Sequence, residues 1–152
     1  MRILRSLRRP DRLRVLVGLV ATGMTTAVLA QEARPTLATP GVTQENILRE
    51  ALAEFPGTDA VTFSATFAPG ATLGRHRHPG TEVLHVLSGH GLLLQDGHAP
   101  RDLGPGMTVV AQPEVKGGSF VHELRNASTT EPLRTYVVIL VDNGEPPAVP
   151  AD

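Results

Sequence analysis

The sequence predicts an all-β domain, a sandwich or a closed barrel, preceded by one short helix. Three observations predict it. Residues Val61 to Phe67 alternate apolar and polar, as a half-buried strand does. Further short apolar runs follow at about eight- to twelve-residue intervals. Gly and Pro, at 15 and 13 residues, separate these runs as turn formers. With 41% hydrophobic residues in 152, the chain suffices for one compact core.

Composition also excludes function classes. The net charge of −1 provides no field to hold nucleic acid. The absence of Cys rules out disulfide frameworks, Cys-ligated zinc, Fe–S clusters and thiol catalysis. Five aromatic residues and no Trp leave no stacking platform for bases or sugars.

At the N-terminus, Arg2, Arg5, Arg8, Arg9, Arg12 and Arg14 precede the apolar stretch Val15–Ala30. A cationic head, an apolar middle, and small residues at Val28 and Ala30 read as an export signal over residues 1–30, cleaved after Ala30. The other reading is a retained membrane anchor. Sixteen residues span about 24 Å as a helix, short of the ~30 Å hydrocarbon core, and Gly18 and Gly23 dilute them further. Arg8-Arg9 leaves both the Sec and the twin-arginine (Tat) routes open. Cleavage would leave 122 residues with 8 basic and 14 acidic side chains, an acidic periplasmic or secreted domain with no stable membrane insertion.

Residues 31–42 have no periodicity and read as a flexible lead-in. Residues 43–57 read as the helix. Thr43 would cap it, Glu45 would face the positive end of its dipole, and Ile47, Leu48, Ala51, Leu52 and Phe55 would form one apolar stripe, ended by Pro56-Gly57. Strands are expected from Val61 to Phe67, Glu82 to Leu87, Leu92 to Gln95, Met107 to Ala111, Ser119 to Leu124 and Leu133 to Val141. Asp96-Gly97 marks a hairpin. Residues 58–142 thus form the β domain, and the Pro-rich residues 143–152 read as a loose tail.

The chemistry concentrates between Gly70 and Gly89. His76 and His78 are two apart on a strand and project from one face. Glu82 keeps their parity beyond the Pro79-Gly80 turn, so the chain can return a carboxylate to the two imidazoles. Such a donor set suits a borderline divalent metal. The fourth ligand should be a His on a strand pairing nearby, and His122 qualifies. His85 and Glu123 have the opposite parity and should face away, as should Arg75 and Arg77. His98 lies at a hairpin tip. His90 and Tyr136 are the candidates for a catalytic role beside the metal. Asn126-Ala-Ser128 also has the form of a glycosylation sequon.

Glycine, five residues, His-x-His, three residues, Glu, six residues, glycine is the first motif of the cupin superfamily, and residues 70–89 resemble it without a gap. His122-x-x-x-Asn126 is similar to the end of the second cupin motif. There the sequence departs twice: Gly117 stands where Pro is usual, and Met107 follows Pro105-Gly106 in place of Asp. The resemblance covers residues 58–142 and points to the small single-domain branch. It implies a single antiparallel barrel of the double-stranded jelly-roll type, with His76, His78, Glu82 and His122 as metal ligands. The metal would be Mn, Fe, Co, Ni, Cu or Zn, since imidazole and carboxylate suit all of them. Parity places Phe63, Phe67, Leu84 and Val86 inside, a setting for a small organic ligand or substrate. A metal-dependent dioxygenase, isomerase or lyase is the first expectation, and a non-catalytic binder of metal or small ligand the second. Val83 and Leu87, of outward parity, fit a homodimer through a sheet face.

Overall fold

A computed structural model describes residue 37, residues 39–115 and residues 118–151. The predicted export signal 1–30, most of the lead-in and Gly117 lie outside the described residues. The described chain forms ten strands: β1 (Val42–Ala51), β2 (Thr58–Phe67), β3 (Thr72–His78), β4 (Thr81–Ser88), β5 (Gly91–Gln95), β6 (Arg101–Leu103), β7 (Thr108–Ala111), β8 (Phe120–Asn126), β9 (Leu133–Asp142) and β10 (Val149–Pro150). They build two five-stranded antiparallel sheets, ordered β1-β2-β9-β4-β7 and β10-β3-β8-β5-β6. The predicted all-β jelly roll is the observed fold.

Period-two alternation explains the packing. β2 buries Val61, Phe63, Ala65 and Phe67 while the residues between them face outward. β9 pairs with β2 over its full length and buries Leu133, Thr135, Val137, Ile139 and Val141. β4, β5 and β8 add Leu84, Val86, Leu93 and Leu124 to the same core between the sheets. Each fully buried Val, Leu, Ile or Phe contributes about 1.5–3 kcal/mol. A site set into this core therefore rests on rigid walls.

Two expectations are corrected. Residues 43–57 form no helix: Val42–Ala51 is a strand, with nine residues of β1 in register against β2. Leu48 and Phe55 of the expected apolar stripe are 44% and 62% exposed. An isolated helix of about twelve residues is marginal in water. The edge of β2 offers a row of unpaired backbone groups, and pairing with it wins. The register shift between Asn46 and Leu48 absorbs the misfit.

The tail after β9 is not loose. It crosses from the first sheet to the second, where Val149 and Pro150 pair with Arg77 and His76 of β3. Pro147 and Ala148 are buried on the way. Pro146 and Pro147 remove two N–H donors that a crossing loop would otherwise have to satisfy. The last part of the expected lead-in is packed as well: Leu37 lies against the core, and Thr39 bridges to Val42.

β3 carries one irregularity. Leu73 pairs with Leu124 and His76 with His122, so Gly74 and Arg75 together oppose a single residue of β8. This is a β-bulge, which re-aims the residues beyond it.

Candidate metal centre

Three strands deliver the site. His76 and His122 are direct cross-strand partners on β3 and β8, and His78 lies two residues further along β3. The bulge allows Leu73 and His76, three residues apart, both to face the interior. Glu82 comes from the opposite sheet, on β4. The Pro79-Gly80 turn carries the chain between the sheets and fits tightly: a Cβ on Gly80 would stand 1.9 Å from the Leu140 carbonyl oxygen. All four residues are buried, none more than 4% exposed.

The nitrogens converge. His76, His78 and His122 each offer a ring nitrogen, and the three atoms lie within 4.8 Å of one another. His122 Nε2 is 2.7 Å from His76 Nε2 and 3.0 Å from His78 Nε2. The Glu82 carboxyl lies 3.8 Å from His78 Nε2 and 3.5 Å from His122 Nδ1.

Hydrogen bonds fix two of the tautomers. His76 Nδ1–H donates to the Gly74 carbonyl at 2.8 Å, and His78 Nδ1–H donates to the Pro147 carbonyl at 2.6 Å. A carbonyl only accepts, so both Nε2 atoms face the centre as lone pairs. His122 Nδ1 is buried without a hydrogen-bond partner.

The electrostatics agree. Burial lowers the His78 pKa to about 3, and repulsion from a charged His76 adds to it. Burial, then repulsion from His76 and His78, lowers His122 to about 2. Burial also lowers His76, opposed by its bond to Gly74. Burial pushes Glu82 up to about 8. At neutral pH the metal-free pocket thus holds three neutral imidazoles and a neutral acid.

A divalent metal fits this donor set. Nitrogens bound at about 2.1 Å and at right angles are about 3 Å apart, close to the spacing found here. Clustered lone pairs with too few protons to share are left unsatisfied by the protein alone. Carbonyl-anchored Nδ1–H groups are the usual outer support of metal-ligating histidines. The three-histidine group could hold such an ion, and nothing in the donors singles out one metal.

Residues 63–139 match the family model described as Cupin domain. The chain belongs to the cupin family. A search of curated protein sequences finds no match. Among solved structures, this cupin is similar to a conserved double-stranded β-helix protein from Klebsiella pneumoniae subsp. pneumoniae MGH 78578. The two are 21% identical over 80% of this chain and 91% of the other, with a TM-score of 0.55. A cupin-like protein from Thermotoga maritima MSB8 is 24% identical over 72% and 75%, with a TM-score of 0.54. The DMSP lyase DddQ from Ruegeria pomeroyi DSS-3 is 26% identical over 60% of this chain, with a TM-score of 0.50. The cupin spans 43% of that lyase's length.

The two candidates for a catalytic role stand elsewhere. Tyr136 pairs with His85 and Ser64, and strand alternation turns it to the outer face of the first sheet. His90 is exposed, beside Gly104 and away from the three histidines. Asn126 is no glycosylation site in the folded chain. Its buried Nδ2 donates to the carbonyls of Phe67, Ala68 and Glu131, and its Oδ1 accepts from the Ser128 N–H. It ties the loop after β2 to the loop after β8.

The residues of outward parity behave as expected. His85 bonds Thr108, Arg75 forms a two-bond fork with Asp96, and Arg77 is exposed. Phe63, Phe67, Leu84 and Val86 are all buried, but of the four only Phe63 lines the cavity beside the histidines. That cavity measures about 20 Å³. It holds one water-sized species. Leu37, Gln44 and Ala148 also line it and went unnoticed in the sequence. The helical reading of residues 43–57 hid Gln44, and no sequence signal marks a carbonyl such as that of Pro147.

Proposed function

We propose that this chain is an exported, metal-dependent cupin enzyme acting on a small organic molecule, of lyase type among the dioxygenase, isomerase and lyase chemistries open to it. The buried cluster of His76, His78 and His122 carries the reading. The similarity to a DMSP lyase favours the lyase type. Export rests on the N-terminal pattern of the sequence alone.

In this reading His76, His78 and His122 hold a divalent metal through nitrogen, and Glu82 supplies a carboxylate oxygen. A metal bound there supplies Lewis-acid polarisation of a substrate oxygen. The protein's own contribution is to orient two imidazoles through Gly74 and Pro147 and to surround the centre with Phe63, Leu73, Leu124 and Val137. Exclusion of bulk water strengthens every charge interaction inside such a site.

Full-length chain purified from its export compartment is expected to contain one transition-metal ion per chain by elemental analysis. It should turn over DMSP or a related small organic acid, with product followed by chromatography. A chain that holds the ion yet turns over nothing in a panel of such acids, with and without oxygen, is the non-catalytic binder. The small cavity, about 20 Å³, favours that second reading. A chain without metal refutes both.

Glu82 as fourth ligand has its own test. Because burial keeps Glu82 protonated up to about pH 8, an ion binding at pH 7 should expel close to one proton. The neutral histidines release none. Proton release should fall toward zero as pH rises above 8. Calorimetric titration with Zn²⁺ in two buffers of different ionisation enthalpy measures it. Equal affinity and equal proton release in Glu82→Gln and wild type remove Glu82 from the ligand set.

A further inference from the structure

The segment joining β9 to β10 does more than end the chain. Its root is held by three polar ties. The Asn143 N–H donates to Gly57 O at 3.0 Å, and the Gly144 N–H to the buried Asp59 carboxylate at 3.2 Å. Arg49, paired with Asp59 at 2.8 Å, reaches on to the Glu145 carbonyl at 2.9 Å. Its far end is stitched to β3, where the Ala151 N–H donates to Arg75 O at 3.1 Å. Between these anchors, Pro147 and Ala148 lie over the histidines. Ala148 lines the cavity, and the Pro147 carbonyl takes the His78 Nδ1 proton.

We infer that Asn143–Ala151 is a strap over the metal centre, with the Pro147 carbonyl positioning His78, and that ions and ligands enter and leave by its displacement. The inference rests on the metal-centre reading above. Three features favour it. The cavity beneath is about 20 Å³, room for one water-sized species, and Ala148 of the strap forms part of its wall. The stitch to β3 is only two paired residues long, the weakest seam in either sheet. The carbonyl that fixes His78 belongs to the strap, so lifting the strap frees the ring to rotate. Access to the centre and the aim of one ligand then change together.

Such coupling is reciprocal: an ion that needs His78 aimed must also hold the strap down. The absence of Cys permits a clean lock. Arg77 and Val149 are antiparallel partners, whose Cα atoms stand about 4.5–5.5 Å apart, within the span of a disulfide. Both lie outside the ligand set.

The experiment uses the full chain loaded with Zn²⁺ and challenged with excess chelator. Oxidised Arg77→Cys/Val149→Cys should release zinc at least tenfold more slowly than the same variant after reduction. The wild-type chain, insensitive to reductant, should match the reduced form. A second measurement needs no variant: in the wild type, Zn²⁺ should slow hydrogen exchange at the Ala151 amide at least tenfold. Equal release from locked and reduced forms, or exchange at Ala151 unchanged in a sample that has bound zinc, overturns the strap. Failure of the wild-type chain to bind Zn²⁺, Co²⁺ or Mn²⁺ at all overturns the metal centre, and the strap with it.

Discussion

His76→Ala is expected to weaken Zn²⁺ or Co²⁺ binding a hundredfold or more and to abolish turnover while the fold survives. His76 belongs to the buried cluster, with its Nε2 2.7 Å from that of His122. Mutating the outer partners of metal ligands already costs about 10–100-fold in affinity, so loss of a donor itself should exceed that. The fold should tolerate the change because the three imidazoles share too few protons to satisfy every inward nitrogen, a cost that removing one ring relieves. Thermal melts separate the two effects. An ion at 100 times its Kd stabilises a native chain by about 2.7 kcal/mol, a rise of several degrees for a domain of this size. Wild type should show that rise and His76→Ala should not, although their metal-free melts lie close together. His85→Ala, on the outer face, is the control and should keep both affinity and rise. Undiminished affinity in His76→Ala would falsify the assignment of His76 as a ligand.

Gly80→Ala should cost about 4 kcal/mol of stability or more. Gly80 is not forced by a left-handed backbone. Its constraint is space: an added Cβ meets the Leu140 carbonyl oxygen at 1.9 Å, its carbon at 2.9 Å and Val141 Cα at 3.2 Å. All three atoms are backbone of β9, the strand that pairs with β4 at Thr81–Leu140. Relief requires the turn to lift off β9, which moves His78 and Glu82 relative to each other. Against a total stability of about 5–15 kcal/mol, this leaves the variant partly unfolded or melting tens of degrees lower. Gly97 makes the comparison. It has a positive φ of 75° but open space around it, so Gly97→Ala should cost only about 1–2 kcal/mol. Urea titration of the metal-free proteins reads both. Equal midpoints for Gly80→Ala and wild type would show that β9 yields at no cost.

Much of the molecule was legible because its strands carry their own period. In β2 every second residue is buried and the alternation is visible in the letters, while β9 shows itself by the apolar run Val137–Val141. The site was legible for a related reason: His76, His78 and Glu82 share a parity, and the turn between them announces itself by Pro79-Gly80. Where the reading failed, the deciding partner lay far along the chain. Residues 43–51 look helical alone and become a strand because β2 presents an open edge. The tail has no periodicity, yet it contributes a main-chain oxygen to His78 across 69 positions of sequence. Tyr136 attracted notice for its hydroxyl, but its neighbours Thr135 and Val137 hold the inward face.

The extra residue in β3 acts as a phase shifter. Before it, odd-numbered positions look inward, and Leu73 helps seal the hydrophobic interior. After it, even-numbered positions take over, and the imidazoles occupy the same side. One strand thereby serves two masters, an oily half and a coordinating half, each with its own spacing rule. Deleting a single residue at this joint would leave every letter of the His-x-His pattern intact while swinging one of the two halves out into solvent.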